Sequence, residues 1–218
     1  MSVRLADYLE AIDHLPSGAT LLIPQSSWED YDRLLEDLVA RPGVRVTYDR
    51  GRLEIMSPSP EHEEYKEFIL RVAHVASDEL GLLLETRGSV TWRRQSVQQG
   101  TEPDTCFYIA NAPRIIGKRH IDLESDPAPD IAVEIDLTSE SLSKFPIYAA
   151  LGVREIWRYD GRTARFYELA DRRYREIHES RFLPGLTSAV LTDALAMSRT
   201  NGQTAALAVF RRHFRREG

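Results

Sequence analysis

Asp130-Ile131-Ala132-Val133-Glu134-Ile135-Asp136-Leu137 is the stretch whose reading decides the fold. Side chains alternate along a strand, so Ile131, Val133, Ile135 and Leu137 share one face, while Asp130, Ala132, Glu134 and Asp136 share the other. So many β-branched residues predict a strand deep in a sheet, yet one of its faces carries three carboxylates. A buried carboxylate without a partner is costly, so these acids need a cation, a hydrogen-bond network or a place at the rim of the sheet. A metal site accounts for most of the pattern.

Outward from this strand, the chain alternates helical and extended signals. Toward the N-terminus, Asp104-Thr105-Cys106-Phe107-Tyr108-Ile109 predicts a second strong strand, introduced by Glu102-Pro103. Residues 111–128 form a charged, proline-containing connection between the two. Gln95 to Gly100 is expected to be a polar loop, with strand material at Leu82–Glu85 and Ser89–Arg93. Ser59 as N-cap, Pro60 at the first helical position and Gly81 as stop predict a helix over about 61–80. It buries Tyr65, Ile69, Val72, Ala73, Ala76 and Leu80, and its spacing puts His62 on the same inward stripe. Before it, Val44–Tyr48 and Arg52–Met56 alternate around Asp49-Arg50-Gly51, a β-hairpin. Ser26 and Glu29 are spaced as a capping box for a helix carrying Trp28, Tyr31, Leu34, Leu35 and Leu38, which Pro42-Gly43 ends. A short helix over 4–14 and an extended piece at Leu21–Pro24 precede that.

Toward the C-terminus, Thr138 or Ser139 caps a helix with Leu142, Phe145, Ile147, Tyr148 and Leu151, ended by Gly152. Pro146 must then fall in its first turns. Val153–Tyr159, Ala164–Leu169 and Tyr174–Glu179 predict an antiparallel meander, and residues 191–217 one or two helices. The whole is one α/β domain over residues 1–218 built on a mixed sheet.

Composition narrows the class. Hydrophobic residues make up 42% and charged residues 28% of 218, ordinary for a globular chain. No apolar run approaches the roughly 20 residues of a membrane span, and charges interrupt the first residues where a signal peptide would be apolar. A cytoplasmic location is expected. One cysteine, Cys106, excludes an internal disulfide and a cysteine-built zinc site within the chain. The net charge of −6 argues against a generic nucleic-acid coat. Lysine is scarce, only Lys66, Lys118 and Lys144, which draws attention to each.

Asp104 and Glu134 stand on neighbouring predicted strands, and two acids meeting at one end of a sheet make a hard-oxygen site suited to Mg²⁺ or Mn²⁺. Asp136 faces the same way as Glu134. Equally, Asp104 fits a turn cap, Glu134 a partner for a buried arginine, and His62 a cap-region residue.

Four segments in order, Met56-Ser57-Pro58-Ser59-Pro60-Glu61-His62-Glu63, Glu102-Pro103-Asp104, Pro129 to Ile135 and Lys144 to Trp157, resemble the Uma-type family of restriction-endonuclease-like proteins, common in cyanobacteria. That family belongs to the PD-(D/E)XK nuclease superfamily. The resemblance covers about residues 25–190, with 191–218 as a helical extension. It implies a restriction-endonuclease-like mixed sheet flanked by helices, with the meander and C-terminal helices added. It implies that Asp104 and Glu134 hold Mg²⁺, with Mn²⁺ as substitute, that the carbonyl of Ile135 faces the ion, and that His62 reaches the site. The superfamily's lysine usually stands two residues after the glutamate, where this chain has Asp136. Lys144 on the following helix is the lysine placed to replace it; a solvated Lys144 is the alternative.

The implied activity is Mg²⁺-dependent hydrolysis of phosphodiester bonds in DNA by a homodimer. A catalytically inactive nuclease fold acting in nucleic-acid binding or regulation, and a hydrolase of small phosphate esters, are the competing readings. Arg87, Arg93, Arg94 and the arginine-rich tail are candidate phosphate contacts, and Leu207, Val209, Phe210 and Phe214 fit packing on the domain or on a second copy.

Overall fold

The computed structural model describes residues 5–39, 43–88, 90–137 and 143–216. The expected caps Thr138 and Ser139, together with Leu142, Ser89 and Pro42, lie outside them, as do residues 1–4 and Glu217. Among the described residues two sheets form, the expected mixed sheet and a second one beside it. The smaller is antiparallel, in the order β1-β3-β2-β6-β5, from Thr20–Pro24, Arg52–Met56, Arg45–Asp49, Gln99–Thr101 and Trp92–Arg94. The larger runs β11-β10-β9-β8-β7-β4, from Arg173–Ile177, Ala164–Ala170, Glu155–Tyr159, Ile131–Ile135, Thr105–Tyr108 and Glu85–Thr86. Among the described residues only β8 and β9 pair in parallel, and helix α5 (Phe145–Leu151) lies in the crossover between these parallel neighbours.

The segment expected to be a polar loop supplies a strand to the smaller sheet. Gln95–Val97 makes a 3-10 turn, and β6 then pairs with both β2 and β5. Gly100 looks like a loop signal, but it is glycine because a Cβ there would run into the Tyr31 ring and the Arg93 side chain. The hairpin forms as expected: Arg50 and Gly51 both take positive φ (46° and 96°), the two-residue turn that matches strand twist. Of Leu82–Glu85, only Glu85 is in a strand; Leu82 and Leu83 are exposed.

Helix α1 spans Leu5–Asp13, and α2 spans Trp28–Leu38. The α2 cap falls one residue later than the spacing suggests: Ser27 and Asp30 exchange the reciprocal side-chain bonds. Helix α3 (Pro60–Leu80) starts at Ser59 and stops at Gly81, as its punctuation predicts. A single turn, α4 (Ala112–Ile115), sits inside the charged connection. Pro146 is in the first turn of α5, which begins later than expected, with Lys144 as N-cap. The tail makes α6 (Ser188–Asn201) and α7 (Gln203–Arg216).

Alternation in β8 holds. Ile131, Val133 and Ile135 face a core shared with α3, α6 and α7, while Ala132 faces the core shared with α4 and α5. Each buried Ile or Val contributes roughly 1.5–3 kcal/mol, so the strand's register is strongly held. A third core joins the smaller sheet to α1 and α2. Phe210 and Phe214 are buried in the first core and Leu207 packs against it, so the tail's apolar face is used within the chain.

Candidate functional site

The two sheets meet where β6 ends at Thr101 and β7 begins at Thr105. Asp104 sits at that seam, 1% exposed, its backbone N–H donating to the Val133 carbonyl at 3.1 Å. Thr105 pairs with Val133, so one step further in the antiparallel register sets Asp104 beside Glu134. The expected pair of acids from neighbouring strands is therefore formed, and both are buried.

Asp104 Oδ2 accepts a 2.7 Å hydrogen bond from the Ile135 N–H and lies 3.4 Å from His62 Nε2. Its Oδ1 is buried with no hydrogen-bond partner, 3.9 Å from Arg45 Nε, which also has none. Glu134 is held by α5: Lys144 Nζ donates to Oε2 at 2.7 Å, and the Tyr148 hydroxyl donates to Oε1. Positions 144 and 148 are one helical turn apart, so one helix face grips both oxygens. His62, at the first turn of α3, is buried as its stripe requires, and its Nδ1 is unbonded.

Burial pushes the Asp104 and Glu134 carboxyls up from the ordinary range, with Lys144 opposing the shift in both. Lys144 is buried too, which alone would lower its pKa, but Glu134 and Asp104 outweigh burial and raise it. With only 12% of its side chain exposed and its ammonium on Glu134, Lys144 is not a solvated lysine. Burial lowers His62, while Glu134 and hydrogen bonding to the Ile135 main chain pull it the other way.

The remaining acids separate by role. Asp130, on the same face as Glu134, is consumed structurally: it accepts from Ile109 N (2.8 Å), Asn111 N (2.9 Å) and Asn111 Nδ2 (2.8 Å). Asp136, two residues after Glu134, is paired with Arg158 of β9. The sequence pattern carried no sign of Arg45, Tyr148 or Arg158 at the site. Tyr148 looks like an apolar helix position and Arg45 like a hairpin residue, and both are revealed only by contacts between elements. Arg93 pairs with Asp32. Arg94 donates to the Leu123 and Ala150 carbonyls, and Arg87 to Glu85 and Thr86. In the tail, Arg211 and Arg215 pair with Glu79, and Arg199 with Glu61.

Two buried acids and a lysine thus converge at the seam of the two sheets of this α/β chain. The model of the Uma2 family, described as "Putative restriction endonuclease", matches residues 28–201, and the chain belongs to that family. A crystal structure described as a putative nuclease belonging to DUF820, from Anabaena variabilis ATCC 29413, is 16% identical, with a TM-score of 0.47 over 74% of this chain and 98% of that one. Comparison with curated proteins finds no match. Among the described residues, no helix is long and apolar enough to cross a membrane.

Proposed function

We propose that the chain is a Mg²⁺-dependent endonuclease that hydrolyses phosphodiester bonds in DNA at Asp104 and Glu134. The observation that carries this reading is the unsatisfied Asp104 Oδ1, buried beside a second carboxylate. An orphaned anionic oxygen in a protein interior calls for a cation or a polar ligand. Among the described residues, no group of three or more His, Cys, Asp and Glu is arranged to hold an ion. Mg²⁺ does not need one, because it typically takes one or two carboxylates and completes its shell with water and substrate phosphate.

The residues fit that ion. Asp104 and Glu134 would hold it, with the Ile135 carbonyl adjacent and Mn²⁺ as substitute. Once bound, it would polarise the phosphate and lower the pKa of its water. Lys144, charged and 2.7 Å from Glu134, balances the acid pair before substrate arrives and is placed to stabilise negative charge developing on the phosphate oxygens. His62 and the Ile135 N–H fix Asp104 Oδ2, which leaves Oδ1 as the oxygen to offer. Tyr148 steadies Glu134 from the other side.

Plasmid nicking with Mg²⁺ tests the reading. Asp104→Asn and Glu134→Gln should each abolish it, and chelation should abolish it in the parent. Parental rates in either variant would overturn the assignment. A parent that neither nicks DNA nor binds Mn²⁺ by calorimetry would support the inactive nuclease-fold reading instead. A panel of plasmid, single-stranded DNA, RNA and nucleotides separates DNA from other phosphate substrates. Sedimentation equilibrium tests the accompanying expectation of a homodimer that brings two sites to the two strands.

A further inference from the structure

A cleavage site needs a path for the nucleic-acid backbone on either side of the bond it breaks. We propose that Arg158 and Arg165 form that path, a two-step phosphate track running outward from Glu134 across the larger sheet; this rests on the nuclease reading above. Registers carry the inference. Glu134 lies opposite Arg158 in the parallel β8–β9 pair, and Arg158 lies opposite Arg165 in the antiparallel β9–β10 pair. Paired residues share a face, so the three side chains form one row across three adjacent strands. Strands are about 4.8 Å apart, which puts Arg165 roughly 10 Å from Glu134, a span of two to three phosphates at about 3.4 Å of duplex axis each.

Exposure rises along the row. The Glu134 side chain is 4% exposed, Arg158 30% and Arg165 39%, as expected of a track leading from a buried centre into solvent. Each guanidinium is aimed in advance by an acid on its own rim, Arg158 by Asp136 and Arg165 by Asp160 at 2.8 Å. Asp160 is itself fixed by the Arg162 and Thr163 N–H groups. Partly exposed ion pairs of this kind are weak, and a guanidinium fork matches phosphate geometry, so an arriving phosphate competes on good terms. Asp136 then has a reason to occupy the superfamily's lysine position: it orients a neighbouring strand's arginine at the mouth of the site.

The opposite face of the same sheet supplies the control. Arg175 of β11 is also exposed and paired with an acid, Glu168, at 3.0 Å. Glu168 is three residues from Arg165 along β10, so the Glu168–Arg175 pair points away from the row. Fluorescence anisotropy of a short labelled duplex, with Ca²⁺ in place of Mg²⁺ and salt titrated, reads the track directly. Arg158→Gln and Arg165→Gln should each weaken binding about tenfold and lower the salt slope by about one, while Arg175→Gln leaves both at parental values. Asp136→Asn should tighten binding, because it removes a competitor for Arg158. The Asp136→Asn/Arg158→Gln double variant neutralises both members of that ion pair should Arg158→Gln fail to fold, and it should bind as weakly as a track with one arginine missing.

Parental affinity and slope in both arginine variants would overturn the track, as would an equal loss in Arg175→Gln, restored binding in the double variant, or a parent that does not bind the duplex. Binding that depends on the track in a parent that never nicks DNA would retain the track and remove the nuclease reading. Nicking with no dependence on either arginine would do the reverse.

Discussion

The two ends of β8 each bury an aspartate and answer it in opposite ways. At the N-terminal end, Asp130 is fully buried and satisfied by three hydrogen bonds from Ile109 and Asn111. At the C-terminal end, Asp104 keeps an oxygen with no partner, facing an arginine nitrogen that also has none. A buried acid whose bonds are complete works for the fold; one whose bonds are incomplete holds unsatisfied charge in the interior at a cost to stability. On the proposed reading, the C-terminal end is the one that takes a ligand.

The sharpest break would come from neutralising each end in turn. Asp104→Asn should reduce nicking on the order of a thousandfold, comparable to loss of a principal electrostatic contact. The metal-free variant should melt at or above the parental temperature, since a buried unsatisfied charge is gone. Asp130→Ala should do the opposite, removing about 3 kcal/mol of stability in urea unfolding by orphaning the Ile109 and Asn111 donors. Its nicking rate well below the melting temperature should stay near parental. If both variants lost stability alike, the distinction between the ends would be lost.

Metal sharpens the comparison next. Mn²⁺ at about a hundred times its dissociation constant should stabilise the parent by about 2.7 kcal/mol, visible as a raised melting temperature. Asp130→Asn should keep that increment and Glu134→Gln should lose it. The smallest effect concerns Glu155, beside Asp130 at the complete end, which accepts from Trp157 Nε1 at 2.5 Å and Arg181 N at 2.8 Å. Burial raises its pKa above the ordinary 4.5, although Ser180, Trp157 and Arg181 hydrogen bonds oppose the shift. A raised carboxyl binds its proton more tightly folded than unfolded, so its contribution is full below the unfolded pKa and fades as pH rises through the folded one. Glu155→Gln should flatten that part of the pH–stability curve. An unchanged curve would show that Glu155 is not its source.

Much of this was legible in sequence because it depends on local periodicity. The two faces of β8 follow from a period of two, and the inward His62 from its spacing to Tyr65 and Ile69. The four-segment resemblance singled out Asp104, Glu134 and Lys144, which the fold brings to one seam. What stayed hidden depends on pairing between distant segments. No local signal says that Arg158 lies opposite Glu134, that the Tyr148 hydroxyl reaches a carboxylate, or that β6 carries the smaller sheet across Gly100. Alternation puts Asp130 on one face with Glu134 and Asp136 because it reports a face and says nothing of position along it.

Asp130 has one more consequence. By fastening residues 109 and 111 to the start of β8, it closes the long connection between β7 and β8 at its root. Whatever happens between Gly117 and His120, which are exposed, is insulated from the strand pairing that sets Asp104 beside Glu134. Peptides can therefore be inserted there, as tags or as new recognition loops, without moving the acids out of step.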